Sequence, residues 1–496
     1  MRVFLISSYF AIDFFEINNK IHIGSQILRR KAFAMSKEKE KGLLAKIFKN
    51  LNGTKDMTDG KPMKLILEFG LPLLFGLIFQ QMYNMVDSII VGKKLGVDAL
   101  AAVGSTGSIN FMILGFCIGV CNGFAIPVAQ TFGARDFPNL KKYIANGAFT
   151  AVVFAAVMTV IVGIFTRQIL IAMDTPETIL DQAYSYIFVI FMGIPAAFLY
   201  NLVSGILRSL GDSVTPVVFL VFSSVLNVIL DLLLVSPLGV RGAAYATVIS
   251  QAVSGVVCLL YMIKKYQFLN FQREDWRFSG SHVVKLCSMG VPMGLQYSIT
   301  AIGSVILQAA VNSMGEAIVA AVTAGSRISM LACCPFDAMG STMATYGGQN
   351  VGAGRLDRVD RGLKDCVKLG IAYAVIAFLF MAVFGKKMAL LFLDNPTEEI
   401  ITYIYYFVIA NSAAYILLAL VNIVRFMIQG LGFSTFAILA GVAEMAARTI
   451  AGFVLVPKFG YVCVILANPL AWLFADAFLV PAYFHVMKKL RGQLNG

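Results

Sequence analysis

The sequence predicts an all-α integral membrane protein of twelve transmembrane helices arranged as two homologous six-helix lobes. Three observations carry this: too few charges for a water-facing surface, twelve apolar stretches of membrane-crossing length, and an internal repeat that divides them six and six. Of the 496 residues, 58% are hydrophobic and only 14% charged, with a mean hydropathy of +0.79. Soluble chains carry roughly a quarter charged residues, so most of this surface is expected to face lipid.

Crossing a ~30 Å hydrocarbon core takes about 20 apolar residues in a helix. Such stretches fall at 66–91, 99–126, 144–165, 183–206, 215–236, 242–263, 286–312, 318–345, 363–385, 402–424, 434–456 and 462–487. None shows a sustained period of two, which points to helices rather than barrel strands. The net charge of +13 follows topology. With the N-terminus inside, about 31 of the 40 Lys and Arg lie in tails, inner loops or inner segment ends. The outer loops hold Lys93, Lys94, Arg167, Arg241, Lys386, Lys387 and Lys458. Under the positive-inside rule both termini are expected in the cytoplasm of a multi-pass protein of the plasma (cytoplasmic) membrane. The basic balance therefore gives no support to nucleic-acid binding.

Residues 1–61 are expected to form a cytoplasmic tail, with an amphipathic stretch at Leu43–Leu51. Met1–Phe10 is apolar after Arg2, but Asp13 and Glu16 follow and no small-residue cleavage site appears, so it makes a poor signal peptide. Met35 would serve as an alternative start. The eight cysteines lie within apolar segments or near segment starts, without zinc-ligand spacing, and are expected to be small packing residues.

The repeat is legible residue by residue. Leu95-Gly-Val-Asp-Ala-Leu-Ala-Ala-Val103 aligns with Met314-Gly-Glu-Ala-Ile-Val-Ala-Ala-Val322, and Gln130-Thr-Phe-Gly-Ala134 with Gln349-Asn-Val-Gly-Ala353. Phe69-Gly-Leu-Pro72 matches Met289-Gly-Val-Pro292, and Leu210-Gly211 falls opposite Leu431-Gly432. Six helices is an even number, so both halves insert in the same sense, related by a pseudo-two-fold axis along the membrane normal. The expected division is an N-lobe at 62–263, a cytoplasmic linker at 264–285, a C-lobe at 286–487 and a short tail at 488–496. Pro72 and Pro292 occupy matching places and are candidate helix kinks. The glycines of the second segment (Gly104, Gly107, Gly115, Gly119 and Gly123) are expected to permit close packing.

Ionisable groups within the membrane are the candidate functional residues. Asp87 lies near the outer end of the first segment, with Tyr83 one turn deeper on the same face. Asp231, with Asn227 one turn deeper, occupies the outer half of the fifth, and Thr247 lies just inside the sixth. These five share a depth in one half. Two carboxylates in one poorly hydrated site cannot both stay ionised cheaply, so the pair can exchange a proton or, with neighbouring oxygens, hold sodium. The alternative is that these acids merely pin helices together. The repeat places Ile306 or Leu307, Arg448 and Gly452 opposite Asp87, Asn227 and Asp231, so ion coupling is expected in the first half alone. Glu444 and Arg448, four apart on one helix, form a structural ion pair or a gate. Asp337 and Asp476 are single acids, either satisfied in the core or lining a cavity. His22 and His282 lie outside the segments and His485 at an inner end, which leaves proton handling to carboxylates.

No Gly-x-x-x-x-Gly-Lys-Ser/Thr loop or soluble nucleotide domain is present, and no catalytic or metal-ligand constellation appears. No cofactor, nucleotide or resident metal is expected, the coupling ion being H+ or Na+. Together, Pro72 running into Tyr83-Asn-Met-Val-Asp87, the two Gln-x-x-Gly-Ala motifs, Leu207-Arg-Ser-Leu-Gly-Asp212, and Asn227-Val-Ile-Leu-Asp231 followed by Gly242-Ala-Ala-Tyr-Ala-Thr247 resemble the multidrug and toxin extrusion family of secondary transporters. The likeness spans about residues 62–490.

It implies a V-shaped fold whose lobes rock, exchanging protons or sodium for small organic, often cationic, compounds. In prokaryotic members with this pattern, it places the cation site at the positions of Tyr83, Asp87, Asn227, Asp231 and Thr247. Members that couple through an acid in the seventh segment differ, because here Pro292 is followed by Met-Gly-Leu-Gln-Tyr-Ser-Ile-Thr300. Competing readings are a flippase for lipid-linked oligosaccharide, an exporter of another metabolite, and a non-transporting membrane scaffold. The acidity of the polar cluster favours cationic substrates over the anionic headgroups of the first.

Overall fold

The computed structural model describes residues 55–173, 175–392 and 397–495. The expected amphipathic stretch Leu43–Leu51 lies outside them. Among the described residues there is no strand. The first half contains α1 (Pro62–Leu95), α2 (Val97–Ser105), α3 (Gly107–Gly133), α4 (Phe137–Ala172), α5 (Glu177–Met192), α6 (Ile194–Ser209), α7 (Val214–Leu238) and α8 (Val240–Lys265). The second contains α9 (Gly280–Asn312), α10 (Glu316–Gly352), α11 (Leu356–Phe392), α12 (Glu398–Ala413), α13 (Tyr415–Gly430), α14 (Thr435–Ile450), α15 (Val456–Phe459) and α16 (Tyr461–Asn495). A π-turn at Ala451–Leu455 joins α14 to α15.

Ten helical stretches are long and apolar enough to span a membrane, and two bent pairs bring the crossings to twelve. Those pairs, α5 with α6 and α12 with α13, bend by 46° and 49° at equivalent places in the two halves. Pro195, in the first turn of α6, cannot continue a helical hydrogen-bond ladder, which explains the first bend. No proline marks the second. There Tyr415 is fully buried against the rings of Phe336 and Trp472, so packing sets the angle. The repeat also appears in the backbone. Gly96 and Gly315 end turns at φ 90 and 96°, and Arg135 (φ 59°) stands where the second half has Gly354 (φ 69°).

The outer faces are apolar and bare. Val152 on α4 and Val383 on α11 are each 68% exposed, an arrangement stable in lipid and not in water. Each half has its own hydrophobic core, one containing Phe124, Phe191 and Leu207, the other Phe336, Tyr346 and Tyr415. The halves exchange the N-terminal parts of their first helices. Ile66, Phe69 and Leu73 of α1 join the C-lobe core, and Leu286 of α9 joins the N-lobe core. Both helices run on through Pro72 and Pro292. α9 begins at Gly280, ahead of the expected segment start, so His282 falls in its first turn.

At the side of the membrane that carries the chain ends, the lobes meet backbone to backbone. A Cβ on Gly119 would come within 2.7 Å of the Cα of Gly294, and one on Gly123 within 2.4 Å of the Cα of Gly290. By contrast Gly104 and Gly107, at the other end of the same span, face open space. The repeated Gln-x-x-Gly motif forms the crossing itself. A Cβ on Gly133 would lie 1.9 Å from the carbonyl oxygen of Gln349, and one on Gly352 1.9 Å from that of Gln130. Each glutamine then reaches across: Gln130 Nε2 donates to the Gly430 carbonyl (2.9 Å), and Gln349 Nε2 to the Ser209 carbonyl (2.8 Å).

The residues before α1 lie over this crossing. Met57 is fully buried; its N–H donates to Gln349 Oε1 at 2.9 Å, and its carbonyl accepts from Asn350 and Arg358. On the N-lobe side Lys55 N–H donates to the Gly211 carbonyl (3.3 Å), and Asp56 pairs with Arg135. Nearby, in the turn between α6 and α7, burial works against the charge of Asp212, but hydrogen bonds from Thr215, Lys265 and Tyr266 outweigh it and hold the carboxyl below the usual carboxylate range.

Because Gly133 touches backbone and not a yielding side chain, Gly133→Ala should drive the lobes apart, at an overpacking cost of roughly 1–3 kcal/mol or more. The melting temperature in detergent should fall, whereas Gly107→Ala, whose Cβ meets nothing, should leave it nearly unchanged. Equal behaviour of the two variants would show that the crossing does not hold the lobes together.

Candidate functional site

In the N-lobe, α1 packs against α7 and α7 against α8, which brings the five residues singled out by depth into one cluster. Asp231 and Asn227 are buried, and Tyr83, Asp87 and Thr247 are half-buried. The carboxyl groups of Asp87 and Asp231 lie close enough to interact directly, and the Tyr83 hydroxyl lies near both acids and Thr247. With its amide turned to satisfy both ends, Asn227 donates to Asp231 Oδ2 (3.1 Å) and accepts from Thr247 Oγ1 (3.3 Å). One oxygen of each acid, Asp87 Oδ1 and Asp231 Oδ1, is buried without a partner among the described residues.

Sequence reasoning missed Tyr186 of α5, a buried phenol within electrostatic reach of both acids and of Tyr83. Only its register on a helix that packs against α8 could have signalled it. Lys94 near the end of α1 is a cation within electrostatic range of Asp231 and caps the α7 carbonyl of Leu232 at 2.6 Å. An orphaned buried carboxylate oxygen is costly. Two of them side by side, ringed by hydroxyl and amide oxygens, form a hard-oxygen donor set able to share a proton or ligate a small cation.

The C-lobe buries charge differently. The expected Glu444–Arg448 helical pair is present at 3.7 Å, but the close partner of Glu444 is Arg425 on α13. Arg425 stands one residue past the expected end of the tenth segment, which hid it from the sequence reading. Asp337 accepts from Asn422 Nδ2 at 3.4 Å and lies within range of Arg425. Asp476 also lies within range of Arg425 and Glu444, while neither of its oxygens has a hydrogen-bond partner among the described residues. The two acids that seemed isolated thus border one network of Arg425, Glu444 and Arg448.

Between the lobes lies a cavity of about 460 Å3, bounded by helices of both halves. Tyr83 and Asn227 bring the N-lobe cluster to its wall, and Asp337 and Arg425 do so from the C-lobe. A narrower recess shares Asn122, Arg208, Ser341 and Phe426 with this cavity and continues along Ala129 and Thr345 toward the glycine crossing. That crossing closes the cavity on the side of the chain ends.

Glu444→Gln would leave two buried guanidiniums without their carboxylate, a change worth roughly 3–5 kcal/mol. It should lower the melting temperature far more than Asp476→Asn, which removes no hydrogen bond. Similar losses in the two variants would refute a network centred on Glu444.

Comparison with known proteins agrees with this architecture. A family profile described as MatE matches residues 72–233 and 292–470. The chain is 29% identical over 385 residues to the probable multidrug resistance protein YpnP of Bacillus subtilis (strain 168), covering 75% of this chain and 85% of that one. It is 24% identical over 358 residues to a protein of Shewanella oneidensis named FAD transporter, covering 71% and 78%. In fold it resembles a crystal structure described as MATE in complex with MaL6, with a TM-score of 0.82 and 22% identity, covering 89% of this chain and 100% of that one. Twelve spans in two six-helix lobes and a match over both halves have one reading: the chain belongs to the MatE family of membrane transporters, and it is a transporter rather than an enzyme.

Proposed function

We propose that this protein is a secondary multidrug antiporter that exports small organic molecules in exchange for H+ or Na+ by alternating access. The observation that carries the reading is the Asp87–Asp231 pair, with one orphaned oxygen on each acid and with Tyr83 and Asn227 reaching the wall of the central cavity. An ion bound at that pair and a substrate bound in the cavity share helices α1 and α7, so each can bias the lobe arrangement that the other meets. The probable multidrug resistance protein of Bacillus subtilis supports organic compounds as cargo.

The excess of Lys and Arg in the tails and inner loops supports an orientation with the chain ends on the cytoplasmic side of the plasma membrane. On this orientation the glycine crossing is a closed inner gate and the cavity opens outward. Rocking the lobes would then break the Gln130 and Gln349 bonds. The lobes divide at the linker, residues 264–285. Cationic cargo would meet Asp337, an acid in the cavity wall.

Efflux of a fluorescent organic cation from energised vesicles tests this. Asp87→Asn and Asp231→Asn should each slow gradient-driven efflux by about tenfold or more, the loss expected when roughly 1.4 kcal/mol of ion interaction is removed. Collapsing the proton and sodium gradients separately should identify the ion. Undiminished efflux in both variants would exclude the pair from coupling.

A further inference from the structure

The charged groups in the cavity wall do not balance. Among the described residues they are Asp337, Arg208 and Arg425. Arg425 is paired behind the wall with Glu444, yet its Nε has no partner among the described residues. Arg208, from the last turn of α6, makes a single hydrogen bond among the described residues: Nη2 donates to the carboxamide oxygen of Asn122 at 2.9 Å. No carboxylate lies within ion-pair distance of it among the described residues. A guanidinium offers five N–H donors in a planar fork, and one held inside a membrane protein without a counter-charge is costly unless something in the cavity supplies it.

The surroundings indicate the shape of that counter-charge. Tyr297 of α9 lines the cavity together with Arg208, Arg425 and Asp337 and lies within electrostatic reach of all three. Its ring therefore stands among the three charged groups. Tyr200 of α6 lies beside Arg208, and Phe426 of α13 lines both the cavity and the recess that Arg208 shares. Aromatic faces next to a guanidinium fork suit a flat ring system that carries a carboxylate or phosphate, because both anions accept two parallel N–H bonds.

We propose that Arg208, with Arg425 and Tyr297, forms an anion-binding subsite at the closed end of the cavity, which selects aromatic molecules bearing a carboxylate or a phosphate. The proposal rests on reading this cavity as the substrate site, and it narrows the substrates from organic cations to compounds that present an anionic group. An amine on the same molecule would meet Asp337. Transport of purely cationic compounds would leave Arg208 uncompensated.

Equilibrium binding to the purified full-length protein, read by fluorescence polarisation, tests the subsite without requiring transport. Failure of ion coupling therefore cannot be mistaken for failure of the subsite. One probe pair is a xanthene dye with a free carboxylate and its methyl ester; the other is riboflavin and its phosphate ester. Wild type should bind the charged member of at least one pair about tenfold more tightly than its partner, the value of one charge-assisted contact. Preference in the dye pair alone assigns the subsite to carboxylates, and preference in the flavin pair alone assigns it to phosphates. Arg208→Gln should erase the preference while leaving affinity for the uncharged head within about twofold, and Arg208→Lys should restore part of it, since a point charge replaces the fork. Equal binding within both pairs by the wild type, or a preference that survives in a folded Arg208→Gln variant, would overturn the proposal. Should Arg208→Gln fail to fold, the wild-type preference still decides it.

Discussion

The crossing of the two Gln-x-x-Gly motifs is the constraint on which the rest of the structure depends. Gly133 meets the backbone of Gln349 and Gly352 meets that of Gln130, and each glutamine donates across the interface to a carbonyl of the opposite lobe. In lipid there is no hydrophobic force to press two apolar helix faces together. Close backbone approach and cross-lobe hydrogen bonds must supply the attraction instead. The symmetry of the contact follows from the repeat, because each half contributes the same donor and the same gap. Met57 then breaks that symmetry by occupying Gln349 from the side of the chain ends.

With one end fixed, the other features take their places. The spans diverge from the crossing, so a cavity opens between them, and the glycines at the far end of the second span touch nothing. The N-terminal parts of α1 and α9 are each packed into the opposite core, so neither lobe is complete without the other. Motion of one lobe against the other must pass through these two helices, and α1 is also the helix that carries Tyr83 and Asp87.

The halves have diverged in how they bury charge. Among the described residues the N-lobe holds two acids together with no bonded cation and leaves an oxygen of each unsatisfied. The C-lobe places Glu444 between two arginines and sets Asp337 and Asp476 around them. An unsatisfied pair is responsive to a proton or cation, whereas a bonded network is rigid, and charges of either kind within a membrane demand such an account. In the cavity wall Asp337 and Arg425 come from the C-lobe network, whereas Arg208 comes from the N-lobe and belongs to neither arrangement.

The sequence alone determined the helical class, the twelve crossings and the twofold repeat, because hydropathy over about 20 residues and recurring motifs are local properties. It also brought Tyr83, Asp87, Asn227, Asp231 and Thr247 together, since depth along a helix can be counted from its ends. Partners across helices could not be counted in that way. Arg208 and Arg425 fall one turn or less beyond the apolar stretches and read as loop charges, yet the helices continue past those stretches and carry both side chains into the cavity wall. Glu444 looked like the partner of its helical neighbour Arg448, and only the packing of α13 beside α14 gave it Arg425. Helix rotation and lateral packing set these contacts, joining residues 19 and 86 positions apart on different helices, so they came from the tertiary structure.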